Sequence, residues 1–121
     1  MPLFIFARFH VREGREAEAV YALRDVLAPT RAEPGCLAID AFAATRDSRL
    51  FYIHSRWVDE AAFDRHATLA HTVRFVETMT PLIDHPFEAT RARVMQWGRR
   101  DHAPRAPRMR RSTPTCGVMR C

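Results

Sequence analysis

The strongest constraint on this chain is the order in which its hydrophobic periodicity changes. Leu3 to Phe9 is an unbroken run rich in Phe and Ile, which reads as a buried strand. Glu13-Gly14 supplies a turn. From Arg15 to about Leu27 the period becomes helical, with Ala17, Val20, Leu23 and Leu27 as the apolar stripe. Glu16 and Glu18 suit the first turn, where the helix dipole favours acids, and Pro29 predicts that the regular helix stops near it. Glu33-Pro34-Gly35 is a turn into a second strand, Cys36 to Ala43. A polar connection, Thr45 to Ser48, leads into a third strand, Leu50 to Val58, whose faces alternate Phe51, Ile53, Ser55 and Trp57 against Tyr52, His54 and Arg56. Asp59 is a good N-cap for a helical stretch over 60–80, with Ala62, His66, Leu69, Val73 and Val76 on its apolar stripe and room for a break near Ala67-Thr68. Phe87 to Met95 closes the series as a fourth strand.

The order is β-α-β-β-α-β, in an α+β chain. Two right-handed crossovers then give the ferredoxin-like arrangement, an antiparallel sheet with both helical segments on one face. The helix-free face carries Phe4, Phe6 and Tyr52, too apolar to leave wet. A second copy packed face to face covers it, so a homodimer is expected. Arg8, His54 and Arg56 fall on that face and call for ion partners such as Asp40 or Glu88.

Charge separates this domain from the C-terminal tail. Residues 1–95 hold 12 arginines against 13 acidic residues, a net of −1, whereas 96–121 hold seven arginines against one aspartate, a net of +6. The basic pI belongs to the tail, so nucleic-acid binding by the folded domain is disfavoured. The tail has proline and charge but no apolar period, and disorder is expected there. No lysine is present, which excludes Schiff-base chemistry. Cys36 stands alone in the body and Cys116 and Cys121 lie in the tail, so no disulfide framework is expected and a reduced, cytoplasmic protein is. No run reaches the ~20 apolar residues of a membrane span. The apolar start lacks a basic leader and a small-residue cleavage site, and is not read as a signal peptide. Glycine-rich phosphate loops, zinc-type Cys/His spacings and haem-attachment motifs are all missing.

Several stretches together resemble one family. They are Phe9 to Gly14 leading into the first helix, Arg31-Ala32-Glu33-Pro34-Gly35-Cys36-Leu37, the strand ending in Trp57, and Asp59-Glu60-Ala61-Ala62-Phe63-Asp64-Arg65-His66 followed by His71 and Phe75. Over residues 1–95 the chain is similar to the antibiotic biosynthesis monooxygenase (ABM) superfamily, including its quinol monooxygenase-like members. The resemblance implies a dimeric α+β barrel with a pocket between sheet and helices in each subunit. It also implies oxidation of quinol-type or polyhydroxylated aromatics by dioxygen without metal or flavin. Ser55 stands where many relatives carry Glu, and Ile53 where the aromatic-polyketide oxygenases carry Asn. The first strand has no Asn and the second helical region no Trp, which disfavours haem degradation.

His66 is the candidate general base, since an imidazole accepts a phenolic proton near neutral pH. Phe51, Ile53, Ser55, Trp57 and Phe63, with His71, are the candidate substrate-binding residues; an aromatic wall suits a flat ring and excludes water. His71 lies five residues beyond His66, off the four-residue spacing that helical ligand pairs prefer, so no metal site is expected. The expected function is a cofactor-independent oxygenase acting on a small aromatic with dioxygen. The alternative is a non-catalytic dimeric module that binds a small apolar or aromatic ligand.

Overall fold

The computed structural model describes residues 1–95. The expectation for the basic tail therefore lies outside the described residues. The elements are β1 (Leu3–His10), α1 (Glu16–Arg31), β2 (Cys36–Ala43), β3 (Leu50–Trp57), α2 (Glu60–Thr68), α3 (Ala70–Met79), a 3₁₀ turn (Thr80–Leu82) and β4 (Glu88–Ala92). They form one antiparallel sheet in the order β2-β3-β1-β4, the ferredoxin-like topology expected from the periodicity.

The two faces of the sheet follow the alternation in the sequence. Leu3, Ile5, Ala7 and Phe9 of β1 and Phe51, Ile53, Ser55 and Trp57 of β3 are buried beneath the helices. The opposite face leaves Phe6, Phe42 and Tyr52 exposed. Phe42 and Arg8 flank Tyr52 in register, and His54 stacks on both Phe4 and Phe6. Asp40 pairs with Arg31 at 3.1 Å, and not with the arginines of that face.

Three details differ from the sequence reading. The buried stripe of α1 is Ala19, Ala22, Leu23, Val26 and Thr30, while Ala17 is exposed and Val20 and Leu27 are half-buried. Leu23 belongs to both stripes, but the buried face is centred on Ala19, Leu23, Val26 and Thr30, which puts Val20 and Leu27 at its margin against the core. Pro29 also sits inside α1. It lies in the last turn, where its missing N–H deprives only the Asp25 carbonyl, on an exposed residue that water reaches. Finally, β4 runs from Glu88 to Ala92 rather than from Phe87 to Met95; in its register Val94 and Met95 would fall opposite Pro2 and Met1, before β1 begins.

The second helical region is two helices. Leu69 takes extended backbone (φ −76°, ψ 151°), ending α2 and starting α3. Its N–H bonds the His66 carbonyl, and its own carbonyl accepts from Thr72 and Val73. The break resets the helical phase, so Val73, expected on the apolar stripe, is exposed. Asp59 caps α2 as expected, accepting from the Ala62 N–H at 2.9 Å.

Candidate active site and its family

The turn at 33–35 places the first piece of the site. Glu33 N–H donates to the Thr30 carbonyl, Cys36 N–H to the Glu33 carbonyl, and Val58 N–H to the Gly35 carbonyl. Gly35 has φ +94°, and a Cβ there would meet the Ala62 Cβ at 2.7 Å. Only glycine fits this close approach of the turn to α2. The Glu33 side chain is thereby held under α2 and α3, with 7% of its surface exposed.

Two histidines converge on it. His66 Nδ1 lies 2.7 Å and His71 Nε2 2.6 Å from the same oxygen, Glu33 Oε2. Acting as hydrogen-bond donors, the two rings satisfy a carboxylate that would otherwise be buried at a cost. On an unbroken helix residues five apart point roughly 140° away from each other. The break at Leu69 removes that separation, and with it the premise on which the sequence reading kept the two histidines apart. Thr72 Oγ1 lies 3.2 Å from the same His66 Nδ1. With Nδ1–H turned to Glu33, the ring's lone pair rests on Nε2, which has no protein partner among the described residues.

His66 also lines a cavity of about 210 Å³ between sheet and helices. Ile53, Ser55 and Phe63 line it too, as do Thr30, Phe75 and Phe87. Phe51 and Trp57, the other candidates from β3, are core residues beside it: Trp57 packs on Phe63 and His66 at 5.7 and 4.7 Å, and its Nε1–H donates to Ser55 Oγ at 3.0 Å. The Ser55 hydroxyl accepts this bond and still has its own proton to donate. His71 faces a separate groove of about 540 Å³ between α1 and α3. Cys36, half-buried beside Glu33, has its thiol pushed up first by burial and then by that carboxylate, so it is a poor nucleophile.

Sequence reasoning assigned no role to three residues of this site. Glu33 was legible only as part of a turn. Thr72 lies beyond the helix break. Thr30 had a signal, since a polar residue in phase with Leu23 and Val26 sits on the buried stripe. Its Oγ1 is buried on the cavity wall with no hydrogen-bond partner among the described residues.

The family model for antibiotic biosynthesis monooxygenases matches residues 2–78. The chain belongs to the ABM family. An ABM-type fold also emerges from solved structures. PA3566 from Pseudomonas aeruginosa is 33% identical, with a TM-score of 0.71, over 75% of this chain and 91% of that one. A crystal structure described as an antibiotic biosynthesis monooxygenase is 25% identical, with a TM-score of 0.74, over 77% of this chain and 98% of that one. Rv0793 from Mycobacterium tuberculosis shares the fold at 24% identity and a TM-score of 0.74, over 78% and 96% of the two chains. The uncharacterized protein sll1783 of Synechocystis is 24% identical over 87 residues, which are 72% of this ABM chain; the chain spans 59% of that relative's length. No described helix is long and apolar enough to cross a membrane.

Proposed function

We propose that this ABM chain is a cofactor-independent oxygenase for a small quinol or polyhydroxylated aromatic, working as a homodimer in the cytoplasm. The observation that carries the reading is His66, fixed by Glu33 through Nδ1 at the wall of an apolar cavity. His66 Nε2 takes the proton of a substrate hydroxyl. The anion transfers its electrons to dioxygen, so quinol and dioxygen become hydroxyquinone and water, and the quinol supplies all four electrons that dioxygen takes up. Glu33 positions the base and stabilises the imidazolium while it holds the proton. His71 keeps Glu33 in place by its second hydrogen bond.

The cavity limits the substrate. An apolar cavity of about 150 Å³ holds benzene. One of about 210 Å³ accommodates a single ring with its oxygens, and not a tricyclic polyketide or a haem. Ser55 and Thr30 supply hydroxyls to meet those oxygens, while Ile53, Phe63 and Phe75 keep water out.

Oxygen uptake with a panel of monocyclic quinols, after chelation of trace metal, tests the reading. Turnover should exceed autoxidation, and His66→Ala should lower kcat by roughly 10²-fold. Undiminished turnover in folded His66→Ala rejects this mechanism. Ser55, where many relatives carry Glu, and Ile53, where the aromatic-polyketide oxygenases carry Asn, favour a second reading, a binding module. Saturable binding of quinols with no oxygen consumed selects that one.

A further inference from the structure

The Glu33 cluster carries more than an orienting role. Glu33 Oε2, His66 Nδ1 and His71 Nε2 all lie within 4.8 Å of one another. They come from three separate pieces of chain: the turn before β2, α2 and α3. Their side chains are 7%, 11% and 18% exposed. The two imidazole N–H groups meet one oxygen of the carboxylate, Oε2, whereas a divalent cation is matched to its charge as well. Two imidazoles and one carboxylate are a donor set that suits zinc and its neighbours among the transition ions. Bonds of about 2.0–2.1 Å to each ligand need ligand atoms roughly 3.3 Å apart. The contacts at 2.6 and 2.7 Å then open by a little over half an ångström. His71 has that freedom, in the first turn of α3 beside the Leu69 break. The groove between α1 and α3 gives a route in, lined by Glu18, Asp25 and His71, with Arg74 as its one basic counterweight.

Position decides what such an ion does. Glu33 and His71 do not line the cavity, whereas His66 does. The ion therefore sits behind His66 and touches no substrate. We propose that Glu33, His66 and His71 form a site for a divalent ion of the zinc type, and that filling it switches His66 off as a base. An imidazole with metal on Nδ1 keeps its proton on Nε2. The nitrogen that accepts a substrate proton in the metal-free chain becomes a donor in the loaded one. No electron moves; His66 Nδ1 and His71 Nε2 each give up a proton to water, and each ring takes one back on its other nitrogen. The switch rests on the proposed oxygenase reading, but the binding site does not.

The test uses the full chain in a Cys116→Ser/Cys121→Ser background, so that tail thiols cannot hold the ion. The protein is chelated, dialysed and titrated calorimetrically with Zn²⁺. One ion per chain and a zinc-dependent rise in melting temperature are expected. His71→Ala and, separately, Glu33→Gln should weaken binding at least about tenfold. His85→Ala, in the other His/Asp cluster at the end of β1, should bind as the parent does. Cobalt(II) should give a spectrum without a thiolate charge-transfer band. Zinc affinity unchanged in both His71→Ala and Glu33→Gln, each checked for a cooperative melt, overturns the site. Oxygen uptake by the parent should fall along the same zinc binding curve, reversibly on chelation. Binding without inhibition overturns the switch. If the metal-free chain turns over no quinol, the oxygenase reading fails, and the titrations alone decide the site.

Discussion

At the scale of single residues, the site joins groups whose partners lie within the fold to groups left without one among the described residues. Thr30 belongs to the second kind: its buried hydroxyl lacks a partner among the described residues. Leaving such a group unsatisfied costs about 1–3 kcal/mol. Thr30→Val should therefore raise stability by about 1 kcal/mol in chemical denaturation. The same substitution should weaken quinol binding several-fold, measured by titration, because the ligand loses one hydrogen bond. Loss of stability with unchanged binding would mean that Thr30 is simply a packed core residue. Trp57 belongs to the first kind, being fully buried and bonded to Ser55. Trp57→Ala should cost about 3–5 kcal/mol by opening a cavity. Its effect on turnover is interpretable only beside a melting curve.

At the scale of elements, the turn before β2 and the break between α2 and α3 make the site. Gly35→Ala meets two obstacles, a positive φ and the Ala62 Cβ. It should destabilise by about 1–3 kcal/mol, read from the denaturation midpoint. Turnover should fall further than that loss explains, because the displaced turn carries Glu33. Asp59→Ala removes only the cap of α2 and should cost about 1 kcal/mol with turnover nearly intact. At the far end of β1, His10 joins Asp84 at 2.5 Å and Asp47 at 3.3 Å. The Asp84 carboxyl is held below the usual range chiefly by its bond to His10, and that of Asp47 chiefly by the Arg49 N–H. A carboxyl with a depressed folded-state pKa adds stability above its unfolded pKa and loses it as pH falls through the folded value. The melting temperature should thus drop below about pH 4. Asp84→Asn should flatten that acid limb, and an unchanged limb would assign acid sensitivity to other groups.

For the whole molecule, the expected dimer rests on the helix-free face of the sheet. Phe6, Phe42 and Tyr52 are exposed on it, in a domain small enough that uncovered apolar surface matters. Light scattering at micromolar concentration should report a dimer, and Phe6→Asp should shift it toward monomer. A wild-type monomer under those conditions would remove the basis for assembly through this face. The Glu33 site and the cavity lie on the helix-covered side, so loss of the dimer should leave zinc binding largely intact.

The order of the elements, the strand faces, the Asp59 cap and the identity of His66 as the inward histidine were all legible along the chain. Each depends on interactions between residues a few positions apart, or on a periodicity that burial imposes directly. The family resemblance added a cavity between sheet and helices, and the structure has one. The pairing of Glu33 with His66 and His71 was not legible. Those residues are 33 and 38 positions apart, and they meet only because the Gly35 turn seats against Ala62 while Leu69 resets the helical phase. The inward face of α1 differs from the apolar stripe for a related reason: the way the helix docks on the sheet buries Ala19, Val26 and Thr30 beside Leu23, and leaves Val20 and Leu27 half-buried. Periodicity says which residues are turned inward, but tertiary packing decides which of them touch, and the chemistry proposed for this chain depends on that contact.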